Sequence, residues 1–333
     1  MSVFSYVVNN MFSSKIGVKL FVILHNVKIF FLKIKSVNFK KNIPLLKNCN
    51  EARPEIFFIV GSGRSGNTLL RAILSANKRI VIPPELYSLQ LIIRTVIKNR
   101  HLKWDELCNN VVASFYDTPD TDVWEINREE LLQDLLNYDK ASQNVQDLVF
   151  SFYKFYAKQK GMTESIVVGD KTPLNAYNLW WIKEIFPHAK YIHMHRDGRD
   201  VVLSYVKSGL YESYVNAAHR WNNSVNRVVS FGKKMKPSYS FSACSYENLV
   251  LDSRSEIKKI CDFLDIDYSD EMLVSYQNQF KTMGDTTKFS HHQNVQKSVF
   301  TSSIGKWKKM NKEDLEAIIP IIENNLKELG YGA

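Results

Sequence analysis

Five apolar residues, Ile56-Phe57-Phe58-Ile59-Val60, run without a polar break into Gly61-Ser62-Gly63-Arg64-Ser65-Gly66-Asn67-Thr68. An uninterrupted apolar run of that length is what a strand buried on both faces of a parallel sheet requires. Beyond the turn, Leu69, Leu70, Ile73 and Leu74 recur at helical spacing. The segment therefore reads strand, glycine-rich turn, helix. Glycines in such a turn let backbone N–H groups curl around an anion at the helix N-terminus. The order is nearly that of the nucleotide loop G-x-x-x-x-G-K-[ST], but Asn67 stands where the lysine would be. The cation that reaches the outer phosphates of ATP is missing, and Arg64 places one inside the loop instead. A ligand with fewer distal charges than ATP, or one held differently, is implied.

Further strands are expected at Ile80-Val81-Ile82, at Ile166-Val167-Val168 ending at Gly169-Asp170-Lys171, at Tyr191 to His195, and at Phe241-Ser242-Ala243. Residues 86–160 read mostly as helices, with Leu131, Leu132, Leu135 and Leu136 on one face and Leu148, Phe152, Phe155 and Tyr156 on another. Helices are also expected near 175–186, from about Asp200, and over 253–265, 270–281 and 312–329. Strands alternating with helices predict an α/β fold: a P-loop-like central parallel β-sheet flanked by helices, in a single domain with helical insertions. A chain of 333 residues, 45% of them hydrophobic, suits one large core.

The net charge of +10 is uneven. Residues 1–50 hold eight lysines and no Arg, Asp or Glu, which leaves +2 for the remainder. The body is thus only mildly basic, and no nucleic-acid partner is expected. Residues 1–52 read as a basic N-terminal arm, with Ile16, Leu20, Ile23, Val27, Phe30 and Ile34 on one helical face and lysines off it. Such a helix lies on an anionic membrane surface or packs on the core. The arm has no apolar run long enough to span a bilayer and no leader pattern, so the expected location is cytoplasmic, with a peripheral membrane contact open. The body spans 53–333. Cys49, Cys108, Cys244 and Cys261 are scattered, which suits a reducing compartment and leaves one or two disulfides open. No metal site is expected; His291-His292 reads as a loop pair.

The loop Gly63-Arg64-Ser65-Gly66-Asn67-Thr68-Leu69 resembles the 5′-phosphosulfate loop of the sulfotransferase family, usually P-R-S-G-T-T-L, with Gly63 for the proline and Asn67 for the first threonine. Tyr191 to Ser204 is similar to the family's 3′-phosphate strand and helix, and Asp170-Lys171-Thr172-Pro173 to the D-K-x-P segment of its tyrosylprotein branch. Ser245-Tyr246-Glu247-Asn248-Leu249 and Ser303-Ile304-Gly305-Lys306-Trp307 resemble two later family segments. In the second, Gly305 replaces a functional serine.

The resemblance implies 3′-phosphoadenosine 5′-phosphosulfate (PAPS) as donor. It implies Ser62, Gly63, Arg64, Ser65, Gly66, Asn67 and Thr68 around the 5′ side, Arg196 and Ser204 on the 3′-phosphate, and Tyr246 and Lys306 near the nucleotide. Arg196 at a strand end suits phosphate on general grounds as well. Glu85, which follows Pro83-Pro84 at the start of a helix from Leu86, is the expected base. Lys171 is expected to stabilise charge on the oxygen between sulfate and phosphate. His193 and His195, on one face of a strand, are the competing bases. No metal is required. The acceptor is a hydroxyl of a saccharide or a tyrosine. The Lys, Asn and Ile bias favours a polysaccharide or glycolipid, and the motifs keep protein tyrosine as the alternative. A P-loop kinase or NTPase is the remoter reading, since Gly169-Asp170 is the nearest match to a Mg²⁺-holding acid.

Overall fold

The computed structural model describes residues 56–118, 121–140, 142–162, 167–235, 240–282 and 301–332. The arm 1–52, Cys49, Ile166 and His291-His292 lie outside them.

The apolar run that opens the body is β1 (Ile56–Val60), and α1 (Asn67–Ser75) follows its glycine turn. β2 (Ile80–Val81) comes next, and then a helical stretch of α2 (Leu89–Asn99), α3 (Trp104–Tyr116), α4 (Arg128–Leu136) and α5 (Val145–Gln159). β3 (Val167–Lys171), α6 (Leu179–Ile185), β4 (Lys190–His195), α7 (Gly198–Lys207) and α8 (Tyr214–Gly232) continue the chain. β5 (Phe241–Ser245), α9 (Tyr246–Leu251), α10 (Ser253–Leu264), α11 (Glu271–Thr282) and α12 (Lys312–Glu328) complete it. The strands form one parallel sheet in the order β2-β3-β1-β4-β5.

β1 is central because it has no polar face. Ile56, Phe58 and Val60 point into one apolar layer with Val168 and Tyr191, while Phe57 and Ile59 point into the other with Val167, Ile192 and Met194. This is the two-residue alternation of a strand with a core on each side. The first layer is closed by α2 to α6 and α8, the second by α1, α10 and α11. A third cluster joins α7, α8 and α12 through Val202, Trp221 and Ile322. Helix starts are written locally: Asn127, Asn144, Ser213, Ser245, Asp252 and Asn311 each accept a hydrogen bond from a backbone N–H of the first turn.

β3 runs through Lys171, with Phe57, Phe58 and Ile59 beside it as partners. Two expectations are corrected. The helix expected over 175–186 is a 3-10 turn, Pro173–Tyr177, and then α6, broken at Asn178. The helix expected from Leu86 begins at Leu89, so Glu85 sits in a loop and meets no helix dipole. α8 was not anticipated, although Ala217, Ala218, Trp221, Val225 and Val228 carry its buried stripe.

The chain leaves β1 for β2 and β3 on one side, then crosses to β4 and β5 on the other. The carboxyl ends of β3, β1 and β4 thus lie side by side at the reversal, where open α/β sheets bind ligands. Trp124, 1% exposed, ties the helical layer together against Phe115, Tyr153 and Tyr156. Trp124→Ala should lower the unfolding free energy by about 3–5 kcal/mol, read by urea denaturation.

Candidate active site

The turn after β1 is pressed against β4 and α9. A Cβ at Gly66, where φ is 96°, would sit 2.6 Å from the Tyr246 ring and 2.7 Å from Met194 Cε. A Cβ at Gly61 would strike the Met194 carbonyl. These two positions therefore accept only glycine. Between them Arg64 holds φ of 64°, a left-handed backbone that a non-glycine residue adopts at a cost.

Asn67 occupies the usual lysine position and turns inward. Its Nδ2 donates to the Ser62 carbonyl at 2.7 Å, so it staples the loop and presents no cation. Ser65 Oγ and Asn67 Oδ1 are buried without a hydrogen-bond partner among the described residues. Thr68 lies in the first turn of α1.

The strain at Arg64 is held by the next strand's helix. Arg64 Nε donates to Ser204 Oγ at 3.1 Å, and Arg196 Nη1 donates to the Arg64 carbonyl at 3.3 Å. Arg196 lies over the Tyr246 ring at 4.5 Å, and its Nε has no hydrogen-bond partner among the described residues. The structure thus gathers Arg64, Arg196, Ser204, Tyr246 and the loop into one place. Burial pushes the Arg64 guanidinium below its ordinary range; Tyr205 opposes the fall and the neighbouring Arg196 charge adds a smaller push downward. Two cations held this close in a buried setting favour an anion between them.

Residues 303–307 lie over this edge. The Ser303 carbonyl accepts from Arg196 Nη2 at 2.5 Å, and Asp200 accepts from the N–H groups of Gly305 at 2.8 Å and Trp307 at 2.9 Å. Arg199 stacks on Trp307 at 3.8 Å. Gly305 takes φ of 71°, so glycine rather than serine fits its backbone. Lys306 itself is exposed, and the contacts of this turn come from its neighbours.

At the end of β3, Lys171 is 1% exposed and its Nζ forms an ion pair with Glu85 Oε1. The Glu85 loop is fastened on each side. Leu86 N donates to Thr172 Oγ1 at 2.9 Å, and Arg71 Nε on α1 donates to the Ile82 carbonyl at 3.2 Å. Trp124 Nε1 meets the Glu85 carbonyl at 3.5 Å. Behind Lys171, Asp170 accepts from Tyr153 Oη at 2.6 Å and Asn175 Nδ2 at 2.8 Å. Burial, opposed by hydrogen bonds from Tyr153 and Thr172, pushes the Asp170 carboxyl up to about 6. Sequence reasoning missed Thr172, Asp200 and Tyr205. Thr172 and Asp200 lay inside the D-K-T-P and Tyr191–Ser204 segments, while Tyr205 carried no local signal.

His193 and His195 point into the layer with Phe241 and Tyr331. Burial pushes His193 down to about 3 and His195 to about 4, which makes both poor bases near neutrality. Cys108, Cys244 and Cys261 are buried free thiols. Among the described residues no group of three or more metal-ligating side chains gathers.

Residues 54–270 match the sequence model of the sulfotransferase family. The chain belongs to that family. As a sulfotransferase it is similar to protein-tyrosine sulfotransferase A of Caenorhabditis elegans, 25% identical over 304 residues that cover 85% of this chain and 68% of the relative. Protein-tyrosine sulfotransferase 1 of Danio rerio is 23% identical, over 83% and 72% of the two chains. The sulfotransferase domain of the Synechococcus PCC 7002 olefin synthase superposes with a TM-score of 0.59 at 22% identity, covering 86% of this chain and 99% of that one. The last comparison establishes that this sulfotransferase shares the fold of that domain.

The pH dependence of stability follows from Asp170. Its folded value of about 6 lies above the ordinary 3.8, so between those values the folded protein holds the extra proton. Stability contributed by this group is therefore full below pH 3.8 and falls as pH rises towards 6. Relative to Asp170→Asn, the wild type should lose about 3 kcal/mol across that window, read by urea denaturation at stepped pH. Separately, Lys171→Met strands a nearly buried carboxylate and should cost about 3–5 kcal/mol, while the double variant K171M/E85Q should recover most of it.

Proposed function

We propose that this sulfotransferase moves a sulfuryl group from PAPS to a hydroxyl, with protein tyrosine as the acceptor class. One observation carries the reading: a cation and a carboxylate, Lys171 and Glu85, meet at the end of β3 beside a phosphate loop whose own lysine position is turned inward as Asn67. A kinase would need a loop cation for the outer phosphates. Here the cation stands across the sheet edge, paired with a base.

The residues present suit the donor. Ser65 Oγ is buried and without a partner among the described residues at the start of α1, and the Arg64–Arg196 pair favours an anion beside it. Ser65, Arg64, Thr68 and the backbone of Gly63 to Asn67 would hold the 5′ side. Arg196 and Ser204 would hold the 3′-phosphate, with the Tyr246 ring beside them. When bound, the donor supplies the sulfuryl group and departs as the 3′,5′-bisphosphate.

The chain's own residues do the rest by position and charge. Glu85 takes the proton from the acceptor hydroxyl as that oxygen bonds to sulfur. Lys171 sets the carboxylate's place and carries the positive charge that offsets charge developing on the departing oxygen. Asp200 holds the 303–307 turn over Arg196 and keeps water from that edge.

The acceptor reading rests on the relatives, which are named for protein tyrosine. They favour tyrosine over the polysaccharide or glycolipid expected from composition.

Calorimetry with 3′-phosphoadenosine 5′-phosphate against ATP–Mg²⁺ tests the donor. The bisphosphate should bind selectively, and Arg196→Ala should weaken it about 30- to 100-fold, the worth of a charged hydrogen-bond pair. Preference for ATP would return the kinase reading to first place. With PAPS, tyrosine peptides should be sulfated ahead of oligosaccharides, and Glu85→Gln should lower kcat by about 10²–10⁴.

A further inference from the structure

The phosphate loop is supported from beneath by a residue outside every motif. Tyr205 is the neighbour of Ser204 on α7 and belongs to the third apolar cluster, 4% exposed among Val201, Trp221 and Tyr211. Its ring packs edge-on to Tyr211 at 5.1 Å. Its hydroxyl leaves that cluster and touches the loop, 3.0 Å from Ser62 Oγ. A Cβ at Gly63 would sit 2.8 Å from the same hydroxyl.

Gly63 differs from Gly61 and Gly66. It is absent from the positive-φ positions, so its backbone suits any L-residue. The three atoms nearest its ideal Cβ all belong to the Tyr205 side chain. What excludes a side chain there is the phenol oxygen. The next nearest atoms, Tyr205 Cε1 and Cζ, lie at 3.5 Å, which is ordinary contact. The oxygen cannot swing aside, because the ring is buried and its hydroxyl is bonded to Ser62. Arg220 stands behind it, 4% exposed and donating to Tyr177 Oη at 2.6 Å. Burial keeps the Tyr205 phenol above its ordinary range, so it remains a neutral donor and acceptor.

We propose that Tyr205 is a positioning residue for the donor loop and that it is matched to Gly63: its hydroxyl holds Ser62 and fills the space that a side chain at position 63 would take. This rests on the reading of the loop as the donor site. Ser62 and Gly63 immediately precede the strained Arg64, and Ser204, which holds Arg64, immediately precedes Tyr205. One turn of α7 therefore sets both halves of the loop. A shift of either half moves the amides and Ser65 that would face the 5′ side.

The test is a double-mutant cycle of Gly63→Ala and Tyr205→Phe on the full chain, read in two ways. The first is urea denaturation of the ligand-free protein. The second is titration with 3′-phosphoadenosine 5′-phosphate, with KM measured separately for PAPS and for the acceptor. In the Tyr205 background, Gly63→Ala should weaken the bisphosphate and raise the PAPS KM about tenfold, a modest overpacking penalty, with the acceptor KM within about twofold. In the Tyr205→Phe background the same change should cost less than about twofold, because its clashing atom is gone. Tyr205→Phe alone should weaken the bisphosphate about threefold, through the lost Ser62 bond.

An equal loss in both backgrounds, or equal rises in the donor and acceptor KM, would overturn the proposal while bisphosphate binding by the wild type left the donor site standing. Coupling in denaturation, with no bisphosphate binding even by the wild type, would instead overturn the donor reading and the positioning role with it.

Discussion

The structure depends on how closely one turn approaches one strand. After β1 the chain has to bend against the carbonyl of Met194 and beneath the ring of Tyr246, and Gly61 and Gly66 leave room for neither a methyl group nor a detour. That contact brings the end of β1 against the end of β4. The sheet order then sets β3 on the other side of β1. Lys171, the loop and Arg196 are neighbours for that reason, although 25 residues separate the two cations in the chain.

Charge follows from this crowding. Arg64, Lys171 and Arg196 are drawn to one sheet edge where water is scarce, and each is held by a different means. Glu85 pairs with Lys171. Arg196 meets Asp200 at 3.7 Å, but both oxygens of Asp200 also serve the 303–307 turn. Arg64 is held by a hydroxyl. Cations and carboxylates are thus crowded together at this edge, and a buried charge is costly unless it is paired or hydrogen-bonded. Burial raises Asp170 at the same strand end, with hydrogen bonds from Tyr153 and Thr172 opposing the rise.

The helical layer between β2 and β3 has a part in this. Trp124 reaches the Glu85 carbonyl, Thr172 catches Leu86, and Arg71 catches Ile82. The loop carrying Glu85 is thereby fixed at three points to a helix, a strand end and the apolar layer. The third cluster acts on the opposite side through Tyr205. Rigid packing on both flanks is what allows a short loop to keep a left-handed arginine.

Much of this was legible in the residue order alone. The unbroken apolar run of β1, the glycine turn and the repeated strand–helix alternation dictate a parallel α/β sheet, because backbone and burial leave few other arrangements. The residues at strand ends, Lys171 and Arg196, were visible for the same reason. The local pattern did not hold the break at Asn178, the loop position of Glu85, the long helix α8 or the contacts of Thr172, Asp200 and Tyr205. Those depend on what lies opposite in space: the α7 face decides which atom stands beneath Gly63. The sequence by itself determined the sheet and the edge where chemistry gathers, since periodicity and glycine geometry are properties of neighbouring residues. Only the tertiary structure decided which carboxylate meets Lys171 and which hydroxyl shapes the loop, because those contacts join residues 86 and 143 positions apart.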